Sequence, residues 1–312
     1  MPHRKTEFEL IDWIRSRQHR SVRTRIGIGD DCAALDLRPD ETCLVTTDAL
    51  VDRVHFDLRQ TKAELVGRKA VTVSLSDVAA MGGRPIGVVI ATALPSDLAP
   101  TDTDKLCRGI FETCDAYAVP LIGGDVVSTP GPLTITSTVL GAVAKRGAIK
   151  RSGAKVGDAI LVTGELGGSL LGRHLTFEPR LAESQRLVKR FKIHSMIDIS
   201  DGLSRDLGHI LDESGGLGAE LDATTIPCSD AARTISQQSG KPPLWHALND
   251  GEDFELLFTA SRREAARIAK RWRHATRITL IGRVADKPGI WMRNADARRT
   301  RVEIEGYEHL KP

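Results

Sequence analysis

The 312-residue chain carries 44 Lys and Arg against 41 Asp and Glu, a formal net charge of +3, with 41% hydrophobic and only 4% aromatic residues. That length suits two domains or one large one, and the ordinary apolar content excludes a largely disordered chain. The charge is small and scattered, with no basic stripe interleaved with aromatics, which speaks against nucleic-acid binding, and no run of about 18 apolar residues is present for a membrane span. In chain order, Phe8, Leu10, Ile11 and Ile14 recur at helical spacing, and the Gly-rich loop "GIGDDCA" (27–33) follows. "CLVTTD" predicts a strand that ends at Asp48, residues 62–81 a helix stopped by Gly82-Gly83, and "IGVVIATALP" a strand closed by Pro95. Residues 101–117 predict a helix, "VPLIGGD" a strand ending in a Gly-Gly-Asp turn, and "LTITSTVLGAVA" a long alternating strand.

The stretch "KRGAIKRSGAKVGD" (145–158) is rich in Gly, Lys and Arg and poor in apolar groups. It places a domain boundary between 1–144 and 145–312. The second half predicts the strand "AILVTG", the turn "GELGGS" with a helix after it, and the strand "MIDIS" with its own helix. There follow "GLGAELDAT", a helix near 229–238, the strand "EDFELLFTA", a helix near 261–272 with a solvated basic face, and short strands. Strands and helices mix without strict alternation, so the class is α/β (α+β) and not a plain doubly wound sheet. The five cysteines are odd in number and lack C-x-x-C spacing, against a disulfide framework or a zinc site and for a reducing cytoplasm. The N-terminus lacks the apolar core of a signal peptide. Cys107 and Cys114, seven apart on a predicted helix, are expected to face a core.

Acids punctuate the apolar and Gly-rich segments. Asp30 and Asp31 sit in the Gly-rich loop, Asp48 follows Thr46 and Thr47, Asp77 lies on a mostly apolar helix, and Asp125 closes "LIGGD". In "MIDISDGLSRDL" Asp198 lies inside an apolar strand, and Asp201 stands where a helix N-cap would. An isolated buried carboxylate is costly or takes up a proton. Hard cations such as magnesium relieve that cost and need oxygen ligands of this kind. No Walker-type phosphate loop and no protein-kinase catalytic motif is present.

In this order, "GIGDDCA", "TTDALVDRVHF", "KAVTVSLSDVAAMGGRP", "LIGGD", "KRSGAKVGDAILVTGELGGS", "MIDISDGLSRDL" and "GEDFELLF" resemble the thiamine-monophosphate kinase family. That family belongs to the aminoimidazole ribonucleotide synthetase-like superfamily, and the motifs run from about residue 7 to residue 309. The resemblance implies a two-domain fold with an N-terminal mixed sheet forming a dimer-interface barrel and a C-terminal α/β domain. It also implies ATP as co-substrate, thiamine monophosphate as acceptor, several magnesium ions and a homodimer. Matched by motif, Asp31, Thr46, Thr47, Asp48, Asp77, Asp125, Asp198 and Asp201 fall at metal positions. Gly124, Asp125, Arg151 and Ser200 fall at nucleotide contacts, and His55 and Glu252 at substrate contacts. The "EGYEHL" segment matches one that closes over the thiamine end, with Ile304 just before it.

Two departures stand out. Asp250 occupies a position where the family has a second glycine, and is expected to crowd a turn or narrow the pocket. Ile304 stands where relatives place an aromatic, which removes a stacking surface. Within the superfamily, a carbamoyl dehydratase typically ends in cysteine, whereas this chain ends "GYEHLKP". A selenophosphate synthetase needs a reactive residue in a flexible N-terminal segment, and no cysteine precedes Cys32. An aminoimidazole ribonucleotide synthetase fits "TTDALVDRVHF" and "GEDFELLF" less well. A nucleotide-binding dimer without catalysis is the reading from another class, and only Asp250 favours it.

The chemistry matches the residue types. Two phosphate-bearing reactants repel by roughly 4 kcal/mol per unit-charge pair at 4 Å in a medium of effective dielectric near 20. Caged divalent cations and a fixed Arg151 charge oppose that repulsion. The acceptor oxygen is already anionic, so no general base and no catalytic His is expected.

Overall fold

The computed structural model describes residues 7–17, 22–26, 34–144 and 147–307. The chain divides into two compact units, Met1–Val78 with Gly83–Gly147, and Ala79–Gly82 with Ala148–Pro312. Among the described residues, no helix is long and apolar enough to cross a membrane.

The first unit contains α1 (Glu7–Ser16), the short pair β1 (Thr24–Ile26) and β2 (Ala34–Leu35), β3 (Glu41–Val51), α2 (Ala63–Ala80), β4 (Arg84–Pro95), α3 (Pro100–Ala116), β5 (Leu121–Thr129) and β6 (Thr134–Ala144). Its four-stranded sheet has the order β3-β6-β4-β5. β4 runs parallel to β5, and β6 antiparallel to β3 and β4. This is an open mixed sheet. Among the described residues no closed sheet is seen. Two strands also outrun their predicted ends. β3 passes Asp48 and continues to Val51, paired with Thr134, and β5 passes Asp125 and continues to Thr129, paired with Pro95. Leu50 and Val51 follow Asp48, Val126 and Val127 follow Asp125, and cross-strand pairing carries each strand on.

Helix α2 is built from small and apolar residues and is buried nearly all round, as a helix covered on more than one side must be. One glycine on each helix, Gly67 of α2 and Gly109 of α3, explains how closely the two approach. A Cβ on Gly67 would lie 2.2 Å from the Leu106 carbonyl oxygen, and one on Gly109 would lie 2.0 Å from that of Glu64. Cys107 and Cys114 of α3 are buried, as the spacing predicts. Gly109→Ala is therefore expected to destabilise the protein by about 1–3 kcal/mol through overpacking, despite alanine's better helix propensity. Urea unfolding of the full chain checks this, and an unchanged or raised midpoint would refute the close crossing.

The second unit contains β7 (Ala159–Thr163), a 3-10 turn (Ser169–Leu171), α4 (Arg173–Thr176), α5 (Leu181–Arg190), β8 (Ser195–Asp198), α6 (Leu203–Glu213) and β9 (Gly218–Asp222). It continues with α7 (Asp230–Ser239), α8 (Pro243–Asn249), β10 (Leu256–Ala260), α9 (Arg262–Arg271), β11 (Ile278–Ala285), β12 (Gly289–Arg293) and β13 (Arg299–Arg301). The seven strands form one mixed sheet in the order β13-β12-β9-β11-β7-β10-β8, and only β12 and β9 pair in parallel. α6 places Leu203, Leu207, Ile210 and Leu211 in a core with Ile160, Val162, Ile197, Leu221, Leu257 and Ile281. That follows from the apolar spacing of "LSRDLGHILDE". α8 is an element the sequence pattern did not reveal. β10 starts later than predicted, because Glu252 (φ 52°) and Phe254 (φ 51°) hold left-handed backbone far from the extended conformation of a regular strand.

Candidate active site

In the first unit the pleat of β3 puts Thr46 and Asp48 on the face that meets α2. The Thr46 hydroxyl donates to Asp77 of α2. Ser74, one helical turn before Asp77, donates to Asp48 Oδ2 at 2.6 Å, and its oxygen lies 2.7 Å from Ser137 Oγ on β6. Burial pushes the Asp48 carboxyl above its ordinary range, and only the Ser74 hydrogen bond opposes that. Among the described residues no cationic side chain accompanies Asp48. The donors Thr46, Asp48 and Asp77 are all oxygens, and an uncompensated carboxylate among them fits a hard cation such as magnesium.

Thr47 points the other way. Its hydroxyl accepts from Thr138 at 3.1 Å and donates to the Ser137 carbonyl. Asp125 is exposed on β5 and shares its level with Ala91, Thr136 and Ala49. These are residues of the same outer face as Thr47. The expected ligands of this unit thus fall into two groups, Thr46, Asp48 and Asp77 on the helix side and Thr47 and Asp125 on the outer side. Gly124 precedes Asp125 where a Cβ would lie 2.2 Å from the Ile90 carbonyl oxygen, so no larger residue fits there. Asp31 lies outside the described residues, as does Asp30.

His55 follows β3 in a tight turn. Its Nδ1 accepts from the Val51 N–H at 3.0 Å, which leaves the ring proton on Nε2 in the neutral form. The ring is then a donor toward an anionic oxygen rather than a base. The buried Lys69 of α2 donates to the His55 carbonyl at 2.8 Å.

In the second unit, Asp198 ends β8 and is 4% exposed. It lies on the sheet face opposite Ile197 of the core. Asp201 is not the helix cap that its position suggests. Gly202 (φ 109°) takes that place, and Asp206, one turn into α6, accepts from the N–H groups of Asp201 and Gly202 at 3.1 Å each. Asp201, Asp206 and His209 bring ligand atoms within 4.8 Å of one another. Burial raises the Asp206 carboxyl well above its usual range, the charges of Asp198 and Asp201 push the same way, and Arg151 offsets part of it. Asp198, Asp201, Asp206 and Arg151 are therefore electrostatic neighbours. The C-terminal segment reaches the same loop. Tyr307 N donates to the Asp201 carbonyl at 3.0 Å, and Arg205 Nη2 to the Gly306 carbonyl at 3.0 Å. Ile304 is 49% exposed, with its tip against Gly208 of α6.

The 249–255 turn packs backbone to backbone on this loop. Glu252 N donates to the Ser200 carbonyl at 2.7 Å, and Gly251 (φ 73°) comes so near that a Cβ would lie 2.6 Å from the same oxygen. Asp253 is buried and accepts from Gly167 N and Ser169 Oγ. Burial pushes its carboxyl up to about 7 against those hydrogen bonds. Asp250 does not crowd the turn as expected. Its backbone is right-handed helical (φ −66°, ψ −37°), a conformation open to any L-residue. Its carboxylate accepts from Gly168 N at 2.8 Å and lies 2.8 Å from His246 Nδ1. His246 Nε2 in turn lies 2.7 Å from Ser239 Oγ.

Comparison with known proteins decides the family. Residues 29–143 match the AIR synthase related protein N-terminal domain, and residues 140–292 the AIR synthase related protein C-terminal domain. The thiamine-monophosphate kinase of Rhodopirellula baltica is 38% identical over 311 residues, covering 97% of each chain. The chain belongs to the thiamine-monophosphate kinase family. Two solved members of that family share its fold. The thiamine-monophosphate kinase of Stenotrophomonas maltophilia K279a superposes with a TM-score of 0.77 at 35% identity, covering 91% of this chain and 95% of that one. AaThiL complexed with AMPPCP and TMP superposes with a TM-score of 0.76 at 30% identity, covering 97% of both.

Sequence reasoning toward this kinase family missed Ser74, Lys69, Asp206, His209 and the buried pair Asp253 and Glu255. Asp206 carried the clearest signal, since it repeats the acid of "SDGLSRD" five residues later, in the first turn of α6. Lys69, inside an otherwise apolar helix, carried another.

Proposed function

We propose that this protein phosphorylates thiamine monophosphate to thiamine diphosphate at the expense of ATP. The end-to-end likeness to thiamine-monophosphate kinases carries this reading, and the survival of the acids expected in the described segments supports it. Divalent magnesium, when bound, supplies positive charge between two phosphate groups that otherwise repel. Thr46, Asp48 and Asp77 would hold such ions on one unit, and Asp198, Asp201 and Asp206 on the other. Thr47, Asp125 and Asp31 remain assigned to the metals by motif.

Arg151 and Ser200, with Gly124 and Asp125, contact the nucleotide in this reading. The Nε2–H of His55 orients the acceptor phosphate, and Glu252 faces the cationic end of thiamine, with Ile304 nearby. The acceptor oxygen needs no base, so transfer is direct and in line, without a phosphorylated enzyme. A homodimer fits the exposed face of the first sheet, where Val45 is 67% and Val127 50% exposed. Paired sheets there would form the dimer-interface barrel that the resemblance implies. The cysteine pattern supports a cytoplasmic location.

A coupled assay for ADP tests the function. ADP is expected only when thiamine monophosphate is supplied with magnesium and ATP. ADP formed instead with formylglycinamidine ribonucleotide would assign the chain to the purine branch. Trapping a phosphorylated protein on the route would refute direct transfer.

A further inference from the structure

Two turns that are distant in sequence lie side by side in the second unit, and both hold backbone that L-residues avoid. Gly164, Gly167 and Gly168 have φ of 59°, 83° and 72° in the turn after β7. Gly251, Glu252 and Phe254 have φ of 73°, 52° and 51° in the turn before β10. Left-handed non-glycine residues persist only where their surroundings over-determine them.

Arg173, the first residue of α4, supplies that constraint. Its Nη1 donates to the Glu165 carbonyl at 2.6 Å, and its Nη2 donates to the Asp253 carbonyl at 3.0 Å and to Glu255 Oε1 at 2.5 Å. One guanidinium thus ties a carbonyl from each turn to a buried carboxylate. Glu255 is itself fixed. It is fully buried, receives Arg180 through Nε at 2.7 Å and Nη2 at 2.5 Å, and accepts from the Thr163 hydroxyl at 2.6 Å. A Cβ on Gly164 would lie 2.1 Å from Glu255 Oε1, so bare glycine lets the first turn rest against that carboxylate.

We propose that Arg173 is a positioning residue for the substrate. It staples the "GELGGS" turn to the "GEDFEL" turn and thereby fixes the strained backbone from which Glu252 projects beside the Ser200–Asp201 loop. Arg173 acts through backbone carbonyls, and the planar fork of arginine is what serves three acceptors from two chain segments at once. A lysine ammonium cannot hold that geometry. The proposal rests on the reading of Glu252 as the contact for the cationic end of thiamine.

The test compares steady-state kinetics of Arg173→Gln, Arg173→Lys and Glu252→Gln in the full chain with magnesium and ATP. In Arg173→Gln the KM for thiamine monophosphate is expected to rise about tenfold or more, with kcat changed less than about threefold and the KM for ATP unchanged. Arg173→Lys is expected to recover part of the rise, because it keeps the charge beside Glu255 while losing the fork. A purely structural role would lower the active fraction, and so kcat, without moving either KM. If Arg173→Gln does not fold, Arg173→Lys alone carries the test, with a rise of about threefold or more expected. An unchanged KM in the Arg173 variants beside a raised one in Glu252→Gln would overturn the clamp and leave the Glu252 assignment standing. An unchanged KM in Glu252→Gln would remove the assignment, and the clamp's purpose with it.

Discussion

Asp48→Asn is expected to lower kcat by about 10²–10³ at ordinary magnesium while the protein stays folded. The expectation follows from how Asp48 is held. It faces α2 beside Thr46 and Asp77, with one hydroxyl donor from Ser74 and no cationic partner among the described residues. Burial raises its carboxyl above the ordinary range, so without a cation the charge opposes folding. The sign follows from linkage. A carboxyl whose folded pKa is raised stabilises the fold only below its unfolded value, and loses that contribution as pH rises through the folded one. Asparagine keeps the acceptor for Ser74 and removes the charge, so the metal-free variant should unfold at the same temperature as the parent or higher near neutral pH. In the parent, added magnesium should raise the unfolding temperature by mass action, and in Asp48→Asn that rise should shrink. Near-normal turnover of the variant at low magnesium would refute a metal-holding role. A variant that simply unfolds would refute the view that the charge is a functional cost.

Much of the fold was legible because several segments are long and strongly periodic. α2, α3, β4 and β6 lie within a few residues of their predicted ends. The strand ends at Asp48 and Asp125 were misread for one reason. Aspartate is depleted in strands, so in a lone sequence it reads as a terminator, whereas pairing with Ser137 and Ala91 keeps it within the sheet. β10 failed in the opposite sense. "EDFELLFTA" alternates well enough to read as strand, but two left-handed residues and two buried acids turn its first half into a loop.

The candidate site followed the same logic. Asp48, Asp77 and Asp198 were visible because an acid in apolar sequence is locally anomalous. Ser74, Arg173 and Glu255 were not, because a serine among small helix residues, an arginine at a helix start and a glutamate just before a strand are each locally ordinary. Their roles come from partners far along the chain, such as Glu255 against Arg173, Arg180 and Thr163. Asp250 shows the converse error. The missing glycine looked harmful, yet the backbone there is right-handed, and the carboxylate is bound by Gly168 and His246.

Arg180→Ala is expected to destabilise the second unit by about 3–5 kcal/mol, the range for breaking a buried ion pair from one side. Burial opposes the Arg180 charge, but the bonds to Glu255 outweigh it and hold the guanidinium protonated more firmly than usual. Arg180 meets both Glu255 oxygens, with weaker contacts from Nη1 to Glu183 at 3.4 Å and Thr276 at 3.3 Å. Removing it leaves a fully buried carboxylate with only Arg173 and Thr163, and water cannot easily replace the lost donors. Urea unfolding of the full chain by tryptophan fluorescence reads the loss, since Trp245, Trp272 and Trp291 belong to this unit and Trp13 to the other. Arg180→Lys should recover only part, because one ammonium cannot reproduce the paired contact. Adding Glu255→Gln to Arg180→Ala should also recover part of the loss, because it neutralises the orphaned charge. A loss below about 1 kcal/mol would place the pair with exposed salt bridges of little worth, and a double variant weaker than Arg180→Ala by the full cost of Glu255→Gln would show that the two side chains are not coupled.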